Sequence, residues 1–339
     1  MKRLLLSIAI VLSIGEANAQ KSLDLGFGTG LTNYFGDLGN GEFMQSSSTR
    51  PGIEVTVRNI ISPKEVSGMK YSAFNVEARL SWHRIGYDES KSISGLAVSE
   101  MRNYNRGLGF RNDIFGVSTH VSYTYYPNRH KPLYKQGLAL FVYGGVGIYH
   151  SNPKADLFRG KIDINNRYYF WNDGTTRDAP EGTAGANVIE KDGDYETTLS
   201  DWHTEGQGSS DETKASKDMY KNWNLGIPVG FGFRYGVNKA ITLSLEVGYY
   251  KFLTDYLDDV SEAYATYKEI EQQFPNDPIK QELAKYISDP TGKGTDGYVD
   301  AFTSRRGNPG ITDSYSFISM EIAYKINWKP EKITALFTR

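Results

Sequence analysis

The chain has 339 residues, a formal net charge of −2 and an apolar fraction of 39%. This apolar fraction excludes general disorder, and the near-neutral charge gives no electrostatic basis for binding nucleic acid. The chain contains no cysteine, which excludes disulfide bonds and thiolate chemistry.

The N-terminus has the pattern of a signal peptide covering residues 1–19. Two basic residues precede the apolar run LLLSIAIVLSI, and ANAQ places Ala17 and Ala19 where a signal peptidase cuts. We expect cleavage after Ala19. The mature chain then begins at Gln20 and not at a cysteine, so a lipid-anchored lipoprotein is not expected. No later segment approaches the ~20 apolar residues of a membrane helix.

The aromatic content suggests how an exported chain without a spanning helix could still occupy a membrane. The sequence contains 24 tyrosines, 16 phenylalanines and 5 tryptophans within a hydrophilic average. A strand of a membrane β-barrel needs only ~9–11 residues with one apolar face, so its signal is hidden in such an average.

Segments of alternating polarity recur along the chain, as expected for strands with one apolar face. In FNVEARLSWH, five apolar residues from Phe74 to Trp82 alternate with five polar ones. Eight segments fit the smallest single-chain outer-membrane barrel. They are LDLGFGTGL (23–31), GIEVTVRN (52–59), FNVEARLSWH (74–83), GVSTHVSYTYY (116–126), GLALFVYGGVGIY (137–149), NLGIPVGFGFRY (224–235), ITLSLEVGYY (241–250) and SFISMEIAYKINW (316–328).

The connections between these segments alternate in length. Long links at 32–50, 86–108, 151–222 and 254–314 are interleaved with short ones at 60–70, 127–136 and 237–240. Outer-membrane barrels have this asymmetry, with long extracellular loops and both termini in the periplasm. A β-sandwich also alternates, but it gives no reason for such polar opposite faces and long one-sided loops.

We therefore predict an all-β fold, an eight-stranded antiparallel transmembrane up-and-down β-barrel over residues 20–328. The protein is expected in the outer membrane, in contact with its lipids. The predicted barrel carries a long loop insertion at 151–222 and a helical loop at 254–314, in which residues 262–285 form two short helices separated by PNDP. Residues 329–339 are predicted to be a periplasmic tail.

The inward faces of the predicted strands carry charges of both signs. An eight-stranded barrel is barely wide enough for its side chains, so we expect these charges to pair with one another and not to line a porin channel. Pro228 cannot donate to a ladder, which predicts a bulge or a missing bond there. The inward charges are Asp24, Glu54, Glu77, Glu246, Glu321, Arg58, Arg79, Arg234 and Lys325.

The stretch FLTDYLDDVS at 252–261 places Asp255, Asp258 and Asp259 just after the seventh segment. The favoured interpretation is a solvated strand exit, with Asp259 or Ser261 capping the following helix. Calcium or magnesium binding together with Asp37 is the alternative, because hard cations need several oxygen ligands. Catalysis is disfavoured, since no nucleophile or histidine lies beside them at motif spacing. No catalytic residue or cofactor is predicted.

Three further features have structural explanations. His83 and His120 are expected to be hydrogen-bonded inside the barrel, and KDGDY at 191–195 lacks the remaining ligands of a calcium loop, which favours a turn. Aromatic residues near strand ends are expected to form interfacial girdles. These aromatics are Tyr123, Tyr125, Tyr126, Tyr249, Tyr250 and Trp328.

Seven motifs occur in a characteristic order. They are NYFGDLG (33–39), GLGFRND (107–113), GIYHSNPKA (147–155), TEGQG (204–208), GIPVGFG (226–232), TDYLDDVS (254–261) and RGNPGITDSY (306–315). In this order the chain resembles a family of Bacteroidota outer-membrane barrels from about Leu23 to Trp328. That family includes the small barrel subunit of the type IX secretion system, which exports proteins for gliding motility, adhesion and extracellular digestion.

The resemblance implies a non-enzymatic subunit that contacts a periplasmic ring containing an outer-membrane lipoprotein. The basic turn PNRHKPLYKQ (127–136) and the tail KPEKITALFTR (329–339) would lie on that side. The family's link between NPKA and TEGQG is much shorter, so residues 156–203 contain an insertion. This departure leaves two alternatives, a structural or surface-binding barrel of the same family and, less favoured, an outer-membrane enzyme.

Overall fold

The computed structural model describes residues 22–39, 46–66, 69–91, 93, 98–130, 137–209, 219–296, 305–310 and 312–327. The predicted signal peptide and periplasmic tail lie outside this part of the chain. Eight long strands dominate the fold. They are β1 (Ser22–Phe35), β2 (Arg50–Val66), β3 (Met69–Asp88), β4 (Gly109–His130), β5 (Leu138–His150), β6 (Trp223–Gly236), β7 (Ile241–Phe252) and β8 (Ser314–Asn327).

The eight strands form a closed ring. Each strand pairs antiparallel with the next one along the chain. The ring closes because β1 pairs with β8, from Ser22 opposite Asn327 to Phe35 opposite Ser314. The predicted eight-stranded antiparallel barrel is therefore confirmed.

The outer wall of the barrel is apolar, and the predicted alternation of faces is confirmed. Phe27, Leu245 and Met320 are 51%, 47% and 69% exposed, whereas inward Glu77 and His83 are fully buried. A continuous apolar belt of this extent is the lipid-facing surface of a transmembrane barrel. It includes Leu25, Leu31, Ile53, Val55, Phe74, Leu80, Val117, Val121, Leu140, Val142, Ile148, Leu225, Val229, Phe231, Phe233, Leu243 and Ile322.

The alternation corrects two girdle assignments, Tyr250 and Tyr126, of which Tyr126 is half-buried and shares the inward face of β4 with Ser122 and Thr124. Tyr249 is exposed on the wall, as predicted for a girdle, but its neighbour Tyr250 is buried in the lumen and donates a hydrogen bond to Glu54 Oε1 at 2.6 Å. Adjacent residues of a strand point to opposite faces, so only one of the pair can meet lipid.

Pro228 interrupts one ladder without displacing it. The pairing of β6 with β5 stops after Gly226 opposite Gly147 and resumes at Val229 opposite Gly144, in the same register. On its other side, Pro228 remains opposite Tyr250. The predicted locally missing bond is therefore confirmed, and no bulge accompanies it.

The lumen is filled by paired charges. Glu77 accepts hydrogen bonds from Arg58 Nε at 2.9 Å, Arg79 Nη2 at 2.9 Å and Arg234 Nη2 at 2.7 Å. Arg79 also pairs with Glu246 at 2.5 Å, and Arg58 reaches Glu321 Oε1 at 2.9 Å. These side chains are nearly or fully buried, so the predicted pairing is confirmed for them and for Glu54, which pairs with Arg79, whereas Asp24 and Lys325 form no ion pair with the described residues.

Both predicted interior histidines lie in the lumen. His83 Nδ1 is 2.9 Å from the Tyr315 hydroxyl, and its other nitrogen lies 3.3 Å from Glu54. His120 Nε2 is 2.8 Å from Ser118 Oγ. Each ring is thus held by hydrogen bonds within the barrel, as expected.

The connections also contain short helices and strands. The helices are α1 (Val98–Arg106), α2 (Tyr267–Gln273) and α3 (Pro278–Ser288), with 3-10 turns at Ser46–Ser48, Ile164–Asn166 and Leu199–Trp202. Two-residue strands lie at Lys154–Ala155, Tyr169–Phe170, Thr176–Arg177 and Thr197–Thr198. None of the helices in the described ranges has the length and apolarity needed to cross a membrane.

The helices α2 and α3 confirm the helical pair predicted on either side of PNDP. Thr266 caps α2 through a reciprocal capping box with Glu269, and Asp277 caps α3 by accepting from Lys280 N. The predicted caps Asp259 and Ser261 are wrong, because α2 begins at residue 267, beyond the reach of either side chain.

The long connections pack together at one end of the barrel. We call the described parts of 36–49, 89–108, 151–222 and 253–313 the loop cap. Its Leu157, Phe158 and Leu199 share one buried cluster with Ile287 of α3 and with side chains from strand ends. The loop cap is therefore a folded layer built onto the barrel, and it has a hydrophobic core continuous with the barrel end.

Replacing Leu245 by arginine places a charge on the lipid-facing wall. We expect a loss of ~2–4 kcal/mol of folding free energy near the bilayer midplane. Heat-modifiable migration after refolding into lipid vesicles, followed by urea titration, measures this loss.

The matched control is Val188→Arg, because Val188 is 55% exposed in the loop cap. We expect this change to stay within about 0.5 kcal/mol of the wild type. Equal effects of the two changes would contradict the membrane-facing assignment of the wall.

Replacing Glu77 by alanine leaves three buried guanidinium groups without their shared acceptor. We expect a loss of ~3–5 kcal/mol in the free energy of unfolding, because the uncompensated charges stay buried. Lys280→Ala is the control, since it breaks an exposed ion pair with Asp277 at 4.0 Å, expected to contribute less than ~1 kcal/mol. Equal unfolding midpoints for the two variants would argue against a lumen held by charge pairing.

Candidate functional site

The aspartates after β7 are buried beneath the loop cap. Asp258 and Asp259 are 1% and 0% exposed, and Asp255 is 9% exposed. The predicted solvated strand exit is therefore wrong. The chain is covered here by residues 204–207 and 305–308, whose side chains and backbone hydrogen-bond to the stretch 254–262.

Asp258 and Asp313 form the base of this site, at the mouth of the barrel. Asp258 accepts hydrogen bonds from the Tyr34 hydroxyl and from Val260 N, the latter at 2.9 Å. Asp313 accepts from Leu257 N at 2.8 Å. Burial raises the pKa of Asp258 and of Asp313 well above the usual range, and the proximity of the two acids raises the pKa of Asp313 further.

Asp259 points to a different set of partners. It accepts from Thr204 Oγ1 at 2.6 Å and from the Tyr220 hydroxyl at 2.7 Å, and it pairs with Arg306 Nη2 at 3.3 Å. Burial raises the pKa of Asp259 to about 6, although the Arg306 charge opposes the shift. Its φ of +68° is in the left-handed region, which turns the backbone sharply away from Asp258.

Arg306 and Glu205 join three loops around Asp259. Arg306 Nη1 donates to the Asp259 carbonyl and lies 3.5 Å from Glu205 Oε1. The same carboxylate accepts from Ser261 N at 2.9 Å and from Glu262 N at 3.1 Å. This buried group ties residues 204–208, 254–262 and 305–308 together.

Asp255 is a buried acid of this site whose carboxylate lacks well-placed hydrogen-bond donors in the described ranges. Within the described chain, neither of its carboxylate oxygens has a protein donor in good hydrogen-bond geometry. Burial raises the pKa of Asp255 to about 7, and a weak contact with Ser261 opposes this shift. The group therefore holds its proton into the neutral range.

The four predicted calcium candidates share a region but not a tight ligand set. Asp37 is half-buried at the rim and accepts from Asn308 N at 2.8 Å, and burial raises its pKa. Asp37 and Asp255 both influence the Asp258 carboxyl electrostatically, whereas Asp259 faces Arg306. Among the described residues, no three of these four bring oxygen atoms within 4.8 Å of one another. Calcium binding by this set remains a prediction.

The sequence patterns did not predict that four further residues belong to the site. These residues are Tyr34, Glu205, Arg306 and Asp313. The signal was present, because each lies within one of the quoted motifs. GLGFRND and GIYHSNPKA also join the site, since Asn112 donates to the Leu257 carbonyl at 2.8 Å and accepts from Asn152 N at 2.9 Å. Six of the seven motifs therefore converge on one polar cluster, while GIPVGFG belongs to β6.

Comparison with known proteins finds neither a matching family model nor a matching curated protein. Among solved structures, the chain is similar to Ail, the attachment invasion locus protein of Yersinia pestis, solved with the heparin analogue sucrose octasulfate. The identity is 7% and the TM-score 0.34, over 91% of this chain and 100% of that one.

Two further barrels show the same level of similarity. Neisserial surface protein A has 7% identity and a TM-score of 0.30, over 91% and 98% of the two chains. A major outer membrane protein of Thermus thermophilus has 10% identity and a TM-score of 0.32, over 91% and 100%. These values assign no ligand or activity to the chain.

Replacing Asp255 by asparagine tests whether the Asp255 carboxyl is protonated in the folded protein. The folded-state pKa, about 7, exceeds the usual 3.8, so the folded protein binds more protons between these values. The contribution of Asp255 to wild-type stability should therefore fall as pH rises from about 4 to about 7 and then level off. Asp255→Asn should remove the Asp255 share of the decline and stabilise the protein at pH 8 by on the order of 2 kcal/mol, allowing for partial solvent screening.

Denaturant titrations of the refolded protein at pH 4, 6 and 8 measure the effect. Asp277→Asn is the control, because asparagine can still cap α3 from that exposed position. A wild type and an Asp255→Asn variant with parallel pH profiles would show that Asp255 does not hold the proton.

Proposed function

We propose that the chain is a non-enzymatic outer-membrane barrel component of a type IX protein secretion apparatus. The observation that carries this proposal is the convergence of six motifs on one buried cluster. Asp37 of NYFGDLG binds Asn308 N, Thr204 of TEGQG binds Asp259, and Asn112 of GLGFRND binds the Leu257 carbonyl. Six of the seven motifs that carry the resemblance therefore form one structural unit in this chain.

The location in the outer membrane is supported by the closed wall and its apolar belt. Single-chain barrels with an even number of antiparallel strands are the outer-membrane type, with long loops outside and short turns inside. In that orientation the loop cap faces the exterior and both termini face the periplasm. The filled lumen favours a role at the ends of the barrel over transport through it.

The proposed partner is a periplasmic ring that contains an outer-membrane lipoprotein. It would meet the short-turn end, where PNRHKPLYKQ and KPEKITALFTR carry a cluster of basic residues. Residues 131–136 and 328–339 lie outside the described residues, so the support for this contact comes from the resemblance and the charge.

A structural or surface-binding barrel is the second candidate, and the loop cap favours it. Beside the main cluster, Ile93, Tyr104, Tyr168 and Phe170 form a second buried group. A folded external layer of this kind could present a fixed surface to a partner outside the cell. An enzyme remains the least supported reading, because the residues of the mouth are engaged in holding loops together.

Complementation of a deletion strain separates the two candidates. Charge reversal at Arg129, Lys131 and Lys135 should reduce both co-purification of the ring lipoprotein and secretion of type IX cargo, because the basic turn loses its attraction for the ring. The control reverses three exposed lysines of the loop cap, Lys161, Lys280 and Lys293, and should leave secretion unchanged.

Heat-modifiable migration of each variant shows that its barrel has assembled. Normal cargo secretion by the deletion strain would refute the secretion proposal. Loss of surface adhesion with secretion intact would favour the surface-binding alternative.

A further inference from the structure

Three carboxylates meet in the long loop, far from the mouth cluster. Asp156, Asp192 and Glu196 each bring one oxygen to within 4.8 Å of the others, and in the described part of the chain they are the only such group of three or more acidic or histidine residues. We propose that they bind a divalent cation, with calcium as the preferred ion.

Buried oxygens without donors provide the independent indication of a ligand. Asp156 is only 4% exposed; its Oδ2 accepts from Gly193 N at 2.7 Å, while its Oδ1 is buried without a protein donor. Glu196 Oε1 accepts from Leu157 N and Phe158 N at 3.0 Å, while its Oε2 is likewise buried and unpartnered. A buried carboxylate oxygen without a donor is costly, and a bound cation removes that cost.

Hydrogen bonds that involve backbone N–H groups hold Asp192, the third proposed ligand, in place. Asp192 Oδ2 accepts from Gly160 N at 3.0 Å, and Asp192 N donates to the Tyr168 hydroxyl at 2.9 Å. Gly193 has a φ of +82°, which lets the chain turn immediately and present its N–H group to Asp156. These hydrogen bonds hold the carboxylates close together, and Asp192 Oδ1 also accepts from Asp194 N at 3.1 Å.

The nearby charge does not compensate all three acids. The Lys191 ammonium is held by Ser90 Oγ and lies 3.6 Å from Asp88 Oδ1. The Lys191 charge also acts on the Asp156 carboxyl. Three carboxylates against one ammonium leave an excess of negative charge for a cation to neutralise.

The chemistry of the group favours calcium. All three side chains offer only carboxylate oxygens, which suit hard cations and not zinc or copper. Asp192 is exposed, so water can complete the coordination. Calcium tolerates irregular mixtures of carboxylate and water, whereas magnesium demands near-octahedral geometry.

The proposed ion would join two distant segments of the loop cap. Asp156 adjoins Leu157 and Phe158, which lie in the main buried cluster, and the Leu157 carbonyl accepts from the Tyr286 hydroxyl of α3 at 2.9 Å. Binding would therefore fasten residues 192–196 to the core of the cap. The site lies within 156–203, outside the motifs of the resemblance, and does not depend on the secretion proposal.

The proposal is tested by calorimetry and thermal unfolding of the refolded full-length protein. The protein is first treated with a chelator and is then titrated with calcium chloride. We expect a saturable rise in the unfolding temperature, with a Kd of about 10⁻⁴ to 10⁻³ M as in extracellular calcium modules. Magnesium at equal concentration should raise it less. Asp156→Asn and Glu196→Gln should each weaken calcium binding roughly tenfold or more, because each removes a charged ligand.

Two matched controls locate the site. Asp194→Asn removes an exposed acid from the same turn, and Asp255→Asn removes a buried acid from the mouth; both should bind calcium as the wild type does. Asp192→Asn, at an exposed position, provides the ligand test if the buried variants fail to fold. Absence of saturable binding, binding unaffected by Asp192→Asn, or binding lost only in Asp255→Asn would overturn the proposal.

Discussion

The hydrogen-bonded closure of β1 against β8 is the constraint on which the rest of the structure depends. In the hydrocarbon layer, a backbone group without a partner costs several kcal/mol, so a membrane-crossing sheet must have no open edge. Eight strands achieve this closure here. The strand number then sets the width of the lumen, which is barely enough for side chains.

The narrow lumen explains the arrangement of its charges. Arg58, Arg79 and Arg234 share Glu77, so one carboxylate organises guanidinium groups from three strands. Such pairs are costly to desolvate and are tolerated when hydrogen bonds satisfy nearly every group. The barrel interior therefore supports the wall.

The loop cap has two groups of buried acids that differ in their surroundings. At the mouth, Asp258 and Asp259 have protein donors, and Arg306 neutralises part of the charge. In the long loop, Asp156 and Glu196 each retain a buried oxygen without a donor, as Asp255 and Asp313 do at the mouth, but among the described residues only the long loop brings three carboxylates within 4.8 Å of one another. A carboxylate in low dielectric must find a donor, a proton or a cation. At the mouth, hydrogen-bond donors and bound protons stabilise the buried carboxyl groups. In the long loop, the three carboxylates are arranged to bind a cation.

The sequence by itself determined the strand number, the inward and outward faces, the interior charges and the helical pair at PNDP. These features depend on local periodicity, which the two faces of a strand impose directly. It did not determine that Asp255, Asp258 and Asp259 are buried, that Asp313 joins them, or that Asp156 meets Asp192 and Glu196. Only the tertiary structure decided these contacts, because they join loops that are distant along the chain, and loop burial leaves no periodic signal in the sequence.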